Sequence, residues 1–240
     1  MRENEHAGIK ANKNINPMKR RPISRQQSLA AIVADRLKAS ILNRELSLGE
    51  ALSEEKIAAA MDVSRTPVRE ALTILQLQGL IVILPRRGSF VFKPNREELH
   101  SLVEYRLNLE VLTAGLAVER EPKALYRAMM DAIAAMETAR AADDALAYAE
   151  ADTRFHDAIF QHCGNPLFAE AFEIAAGRIA ALRAHLSEQL GLHRQKTYEE
   201  HQQMAEAVKQ RDICTLRALL HAHIQAMEPN YASALEMLSP

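Results

Sequence analysis

The sequence predicts a mainly α-helical protein: three helices and a β-hairpin near the N-terminus, then an all-α antiparallel helical bundle. Three observations carry this. Apolar residues recur at helical spacing over nearly all of residues 28–237. Only residues 80–92 hold two short apolar, partly β-branched runs around a turn. The charge balance changes sign along the chain. Residues 1–95 carry 16 Lys+Arg and 9 Asp+Glu, whereas residues 96–240 carry 14 and 22.

Residues 1–27 are polar, lack hydrophobic periodicity and hold Lys10, Lys13, Lys19, Arg20, Arg21 and Arg25. They are expected to form a disordered basic arm, either brushing DNA or simply solvated. Ser28 can cap a first helix whose apolar positions are Leu29, Ile32, Val33, Leu37 and Ile41. Residues 44–49 break that pattern. Ser53 opens a second helix, and Glu54 and Glu55 in its first turn suit the positive end of the helix dipole. After the turn at 62–64, Ser64 can cap a third helix. Pro67 fits its first turn, and Leu72, Leu75 and Leu77 are expected to be buried. Gly79 ends it. Strands over 80–84 and 89–92 then flank the turn Pro85-Arg86-Arg87-Gly88. Three helices and a hairpin over residues 28–93 make a winged helix-turn-helix.

Residues 94–240 form the second domain. Helices are expected near 96–120, 122–141, 144–163, 166–190, 193–210 and 212–237. Breaks fall at Pro122, Asp143-Asp144, Gly164-Asn165-Pro166, Gly191 and Asp212, and Pro229 should kink or break the last helix. Abundant Ala favours helices and their close approach, hence a bundle. Cys163 and Cys214 have neither disulfide nor zinc-finger spacing and read as small buried thiols. No segment approaches about 18 uninterrupted apolar residues, and the N-terminus lacks an apolar signal core. A reducing, cytoplasmic setting without membrane contact is expected.

The run Ser64-Arg65-Thr66-Pro67-Val68-Arg69-Glu70-Ala71-Leu72 clusters cations at a helix start. A recognition helix presents its N-terminal residues to base edges and phosphates. Arg65 and Arg69 can grip guanine bidentately. Ser64, Thr66 and the backbone before Pro67 suit phosphate. Arg86 and Arg87, beside Gly88 at the hairpin tip, can enter a minor groove.

This stretch resembles the GntR family of regulators. The family's Ser-Arg-Thr-Pro-Val-Arg-Glu-Ala-Leu element stands unbroken at residues 64–72, and Ile57-Ala58, Gly79-Leu80 and Arg87-Gly88 fall where the family places them. Arg44 stands where the family prefers Gly, and Leu48 where it prefers Pro. Glu55 replaces a basic phosphate contact of many members, with Lys56 beside it as a substitute. The resemblance implies a homodimer on a pseudo-palindromic duplex operator, usually as a repressor.

In the second domain Asp152 and His156 are four residues apart on one helical face, and His201 and His223 lie on two later helices. Carboxylate oxygen and neutral imidazole suit a divalent transition metal, Zn²⁺ or Ni²⁺. Nine histidines in the chain make ordinary surface or core roles the default on composition alone. The domain, however, resembles the FCD class, the FadR-type C-terminal domain. Asp152-Thr153-Arg154-Phe155-His156 matches its Asp-x-x-Phe-His pattern, and Arg106 to Glu110 its opening Arg-x-x-x-Glu. The resemblance implies a metal held by Asp152, His156, His201 and His223, with a small organic-acid or sugar-acid effector. Arg106 would bind the effector carboxylate unless it pairs internally with Glu110, and Arg178 is a further candidate. His162, His185, His193 and His221 have no matching role and are taken as structural or exposed.

Two rival readings stay open at this point. A metallo-hydrolase would use the same four residues, with Glu150 or Glu200 as general base. An architectural DNA-binding protein would carry the metal only structurally.

Overall fold

A computed structural model describes residues 27–238; the arm expected over residues 1–27 lies outside them except for Gln27. Ser28 accepts from the Ala31 N–H and opens α1 (Leu29–Leu42). The buried stripe of α1 is Ala30, Val33, Ala34, Leu37 and Ile41; Leu29 and Ile32 lie to one side of it and face solvent. A strand not expected from the sequence, β1 (Ala51–Leu52), follows. Ser53 caps α2 (Glu54–Met61), and α3 (Arg65–Leu77) comes after Asp62, whose φ of 52° ends α2. Leu72 and Leu75 are buried, but Leu77 is 80% exposed. Two residues beyond Leu75 is about 200° around a helix, so Leu77 points away from the face that packs.

Strands β2 (Ile81–Leu84) and β3 (Gly88–Val91) form the hairpin, and β1 pairs antiparallel on the other edge of β3. The register sets Ile81 against Val91, Leu84 against Gly88, and Ala51 against Phe90. Arg86 (φ 62°) and Gly88 (φ 105°) supply the positive φ angles of the turn. The core of this unit gathers Val33, Leu37 and Ile41, then Val68, Leu72 and Leu75, then Leu80, Ile81 and Val91. Arg44 has φ 64°, a conformation that glycine adopts without cost, which accounts physically for the glycine preferred there in the resembling family.

Six helices follow: α4 (Arg96–Arg120), α5 (Pro122–Ala141), α6 (Ala145–Gln161), α7 (Pro166–Leu186), α8 (Arg194–Gln210) and α9 (Ile213–Met237). Their ends are where the sequence places stop and start signals. Asn95 and Glu98 form a reciprocal capping box on α4. Asp144, Asn165 and Asp212 cap α6, α7 and α9, and Pro122 and Pro166 occupy first turns. Helix α7 stops four residues earlier than expected, and a 3₁₀ turn at Gly191–His193 leads into α8. Helix α9 runs unbroken through Pro229. The most extensive packing is between α5 and α6 and between α4 and α9, and Phe155, Met129, Met136, Ile179, Leu220 and Ile224 fill the space among the helices. Cys163 is buried as expected, but Cys214 is exposed. No helix among the described residues is long and apolar enough to cross a membrane.

Candidate functional site

The first face of interest is the start of α3. Ser64 is its N-cap, yet its hydroxyl makes no cap hydrogen bond, unlike those of Ser28 and Ser53. Ser64, Arg65, Thr66 and Arg69 are exposed, and Pro67 is half-buried. Arg69 grips Glu54 of α2 bidentately, Nε to Oε1 at 3.1 Å and Nη2 to Oε2 at 2.8 Å. Arg65 Nη2 lies 3.7 Å from the same carboxylate. The hydrogen bonds from Arg69 hold the Glu54 carboxyl below its ordinary pKa. The sequence reading did not anticipate this grip, because Glu54 was accounted for by the helix dipole alone. Arg86, Arg87 and Gly88 are exposed at the hairpin turn.

The second face is a cavity of about 230 Å³ enclosed by α4, α6, α7, α8 and α9. The ligand atoms of Asp152, His156, His201 and His223 lie within 4.8 Å of one another; Asp152 and His223 line the cavity, and His156 and His201 stand behind them in the core. Asp152 and His156 share a face of α6, while α8 and α9 bring one histidine each. His156 and His201 are fully buried, and the His223 side chain is 8% exposed. His201 Nε2 stands 3.3 Å from Asp152 Oδ1 and 3.4 Å from His156 Nε2.

Carboxylates orient two of these rings from behind. His156 Nδ1 donates to Glu110 Oε2 at 2.7 Å, and His223 Nδ1 donates to Glu200 Oε2 at 2.6 Å. A carboxylate can only accept, so Nδ1 of each ring carries a proton and Nε2 is the atom left to ligate an ion. Burial pushes His201 down to about 3, and burial with the nearby Arg106 and Arg183 pushes His156 well below its ordinary value. Burial disfavours ionisation of Asp152, but Arg183 and the surrounding histidines outweigh it and hold the carboxyl far below the usual range. Three imidazoles, two of them with Nε2 turned away from their carboxylate hydrogen bonds, and one carboxylate form a donor set that fits a divalent transition ion.

Arg106 is 2% exposed and pairs with Glu110 at 2.5 Å, so the internal pairing and a place on the cavity wall occur together. Arg178 does not line the cavity. Its guanidinium stacks near Phe92, 5.7 Å from the ring centroid, and fills the space beside Gly79 in the reading head. Arg183 takes the place expected of Arg178: it is 4% exposed and ion-paired with Asp152. The two arginines are five residues apart, about 140° around α7. The available signal is that Arg183 interrupts the otherwise apolar run 179–184. His193 also lines the cavity, whereas His162 pairs with Glu121 and His185 Nε2 meets the Ile41 carbonyl. Neither base imagined for a hydrolase is poised for one. Glu150 is exposed, and Glu200 is engaged by His223 and by Lys196 at 3.7 Å.

Comparison with known proteins agrees with this division. Residues 29–91 match the family described as bacterial regulatory proteins, gntR family, and residues 101–226 match the FCD domain. An HTH-type transcriptional regulator in an unstable DNA locus of Streptomyces ambofaciens is 30% identical over 198 residues, 80% of each chain. The HTH-type transcriptional repressor NanR of Salmonella newport is 24% identical over 233 residues, 89% of each chain. A GntR-type regulator from Rhodococcus has a similar fold, with a TM-score of 0.77 at 22% identity, covering 86% of this chain and 99% of its own. These relatives are transcription regulators, not enzymes.

Proposed function

The chain belongs to the GntR family of bacterial regulatory proteins and carries an FCD domain, and on that premise we propose that it is a homodimeric repressor whose grip on a pseudo-palindromic operator is set by a small organic anion bound at a divalent-metal site in the helical domain. One observation carries this reading. Four ligand residues converge beside a cavity that two of them, Asp152 and His223, line together with two buried arginines, Arg106 and Arg183.

The reading head supplies DNA affinity through Arg65, Arg69, the free Ser64 hydroxyl and the hairpin arginines. In the sensor domain Asp152, His156, His201 and His223 hold Zn²⁺ or Ni²⁺. When bound, the ion supplies fixed positive charge and coordination positions for an anion. Glu110 and Glu200 keep His156 and His223 turned toward it. Arg106 offers its free Nη2 to a ligand carboxylate.

Helix α7 is the element able to couple the two domains. Gly177, Ala181 and His185 face the reading head: Gly177 meets Leu80, Ala181 joins the head's core, and His185 bonds Ile41. Arg183 and Ser187 on the opposite side line the cavity. A ligand that draws Arg183 away from Asp152 therefore acts on the helix against which the head packs, and operator affinity changes by the difference in ligand affinity between the two placements. Salmonella NanR, to which the chain is similar, is a transcriptional repressor.

The test is the double variant His201→Ala/His223→Ala beside the unaltered protein, with metal content by elemental analysis and operator binding by gel shift. The variant should lose stoichiometric metal and the response to acid while retaining basal operator binding, since residues 27–93 contain none of the four ligands. Equal metal in both proteins would exclude this ligand set. Metal loss with an intact response would move sensing elsewhere.

A further inference from the structure

We infer that the cavity selects a two-headed anion, a short aliphatic dicarboxylate, over a monocarboxylate of the same length. The inference rests on the effector reading above and adds the class of ligand. Three guanidinium groups from three helices line the cavity: Arg106 of α4, Arg183 of α7 and Arg194 of α8. Each is only partly satisfied within the protein. Arg106 uses Nε on Glu110 and Nη1 on Met227 Sδ at 2.9 Å, and its Nη2 has no partner among the described residues. Arg183 pairs with Asp152, donates from Nη1 to Thr153 at 3.2 Å and lies beside the Tyr231 hydroxyl, and its Nη2 has no well-formed hydrogen bond among the described residues. Arg194 donates from Nη2 to the Ser187 carbonyl at 3.0 Å and reaches the exposed Asp143 at 3.3 Å, and its Nε is unbonded.

Buried cations with unused N–H groups are costly unless an anion completes them. The internal anions are already committed. Glu110 serves both Arg106 and His156, and Glu200 serves both His223 and Lys196. Asp152 is asked to serve twice, since one oxygen faces Arg183 and the other faces the histidine cluster. A cation on that cluster draws on the same carboxylate and leaves Arg183 short of negative charge. One ligand carboxylate then compensates the ion and Arg106, while Arg183 keeps only the field of Asp157 and Arg194 only the exposed Asp143, neither of which lines the cavity. A second carboxylate supplies them, with charge-assisted hydrogen bonds to both. The methylene groups between the two heads fit the apolar part of the wall, Ala149, Leu190, Ala226 and Met227. The volume of about 230 Å³ restricts the spacer to a few carbons.

The experiment is calorimetric titration of the full-length, zinc-loaded protein with succinate and with butyrate, which share a four-carbon chain and differ by one carboxylate. Malonate against propionate and glutarate against pentanoate extend the comparison. Succinate should bind about tenfold or more tightly than butyrate. Arg183→Gln should narrow that ratio. Because Arg183 is a buried partner of Asp152, Arg194→Gln, at the half-buried rim, provides the same test without opening the core. Equal affinity within every pair would overturn selection for a second carboxylate while leaving a one-carboxylate effector in place. Binding of none of the six acids would overturn the effector reading, and this inference with it.

Discussion

At the start of α3, Arg69 uses the Nε–Nη2 edge of its guanidinium on Glu54, leaving the Nη1 edge turned to solvent, while its side chain remains 66% exposed. An exposed ion pair adds little to stability. Its effect is to restrict the arginine's rotamers, so that the charge stands ready at the helix start rather than sweeping through solvent. Arg69→Ala should therefore leave the thermal midpoint nearly unchanged and weaken operator binding by about 1–3 kcal/mol, the worth of one bidentate base contact. Gel-shift titration at one fixed salt concentration checks this. Unchanged affinity would remove Arg69 from the interface, and an equal loss on unrelated duplexes would make it a phosphate contact.

Among the elements, α7 has the most divided surroundings. Its two sides differ in chemistry because one packs against the reading head and the other closes a polar cavity. The head side works by close approach. Gly177 would place a Cβ 3.1 Å from Leu80, and Glu188, just past the helix end, pairs with Arg44 at 2.7 Å. Gly79 is the counterpart in the head. Its φ is 72°, and a Cβ there would collide with the Arg178 guanidinium. Gly79→Ala should cost about 1–2 kcal/mol from the left-handed backbone alone, with a further part from displacing Arg178. Adding Arg178→Ala should recover the second part and leave the first. A double-mutant cycle by urea unfolding measures the coupling; strict additivity would mean that Arg178 and Gly79 do not meet.

For the molecule as a whole, the two cores differ in what acid does to them. Residues 27–93 contain no histidine, whereas the helical domain buries His156 and His201 in the neutral state. The folded pKa values of both lie below the unfolded value of about 6.5. Below that pH the unfolded chain takes up protons that the folded domain refuses. Stability is therefore full above about 6.5 and declines as pH falls toward the folded values, by up to about 1.4 kcal/mol per pH unit for each histidine. Asp152 adds to the loss only at lower pH, because its depressed carboxyl favours the fold above the ordinary carboxylate range of about 4. All five tyrosines, Tyr105, Tyr126, Tyr148, Tyr198 and Tyr231, lie in the helical domain, and the chain has no tryptophan. Tyrosine-monitored urea unfolding of the metal-free protein thus reports this domain alone. Its midpoint should fall between pH 7 and pH 5, by less than the two histidines alone would give, because burial raises the Asp157 carboxyl to about 6 and its proton uptake favours the fold there; in an Asp157→Asn variant, a constant midpoint would mean that the histidines are not held neutral by burial.

What could be read from sequence was whatever depends on neighbours along the chain. Helix limits, caps and breaks follow from local periodicity and from residues such as Asn95, Asp144, Asn165 and Asp212, so their positions agree with the fold to within a few residues. The reading head was legible for the same reason, since its cations and its capping serine are contiguous. The pairing of Asp152 with His156 needed only the 3.6-residue turn, whereas the addition of His201 and His223 drew on family resemblance. Tertiary structure alone decided how far each helix is rotated about its axis, and that rotation sorts side chains into cavity, interface or solvent. It put Arg183 rather than Arg178 on the cavity wall, left Leu77 and Cys214 outside, and set Glu110 and Glu200 behind the histidines. It also joined Glu54 to Arg69 across a turn and added β1 to the hairpin. A rotation of about 100° separates one residue from the next, and only the packing of several helices together selects among such rotations.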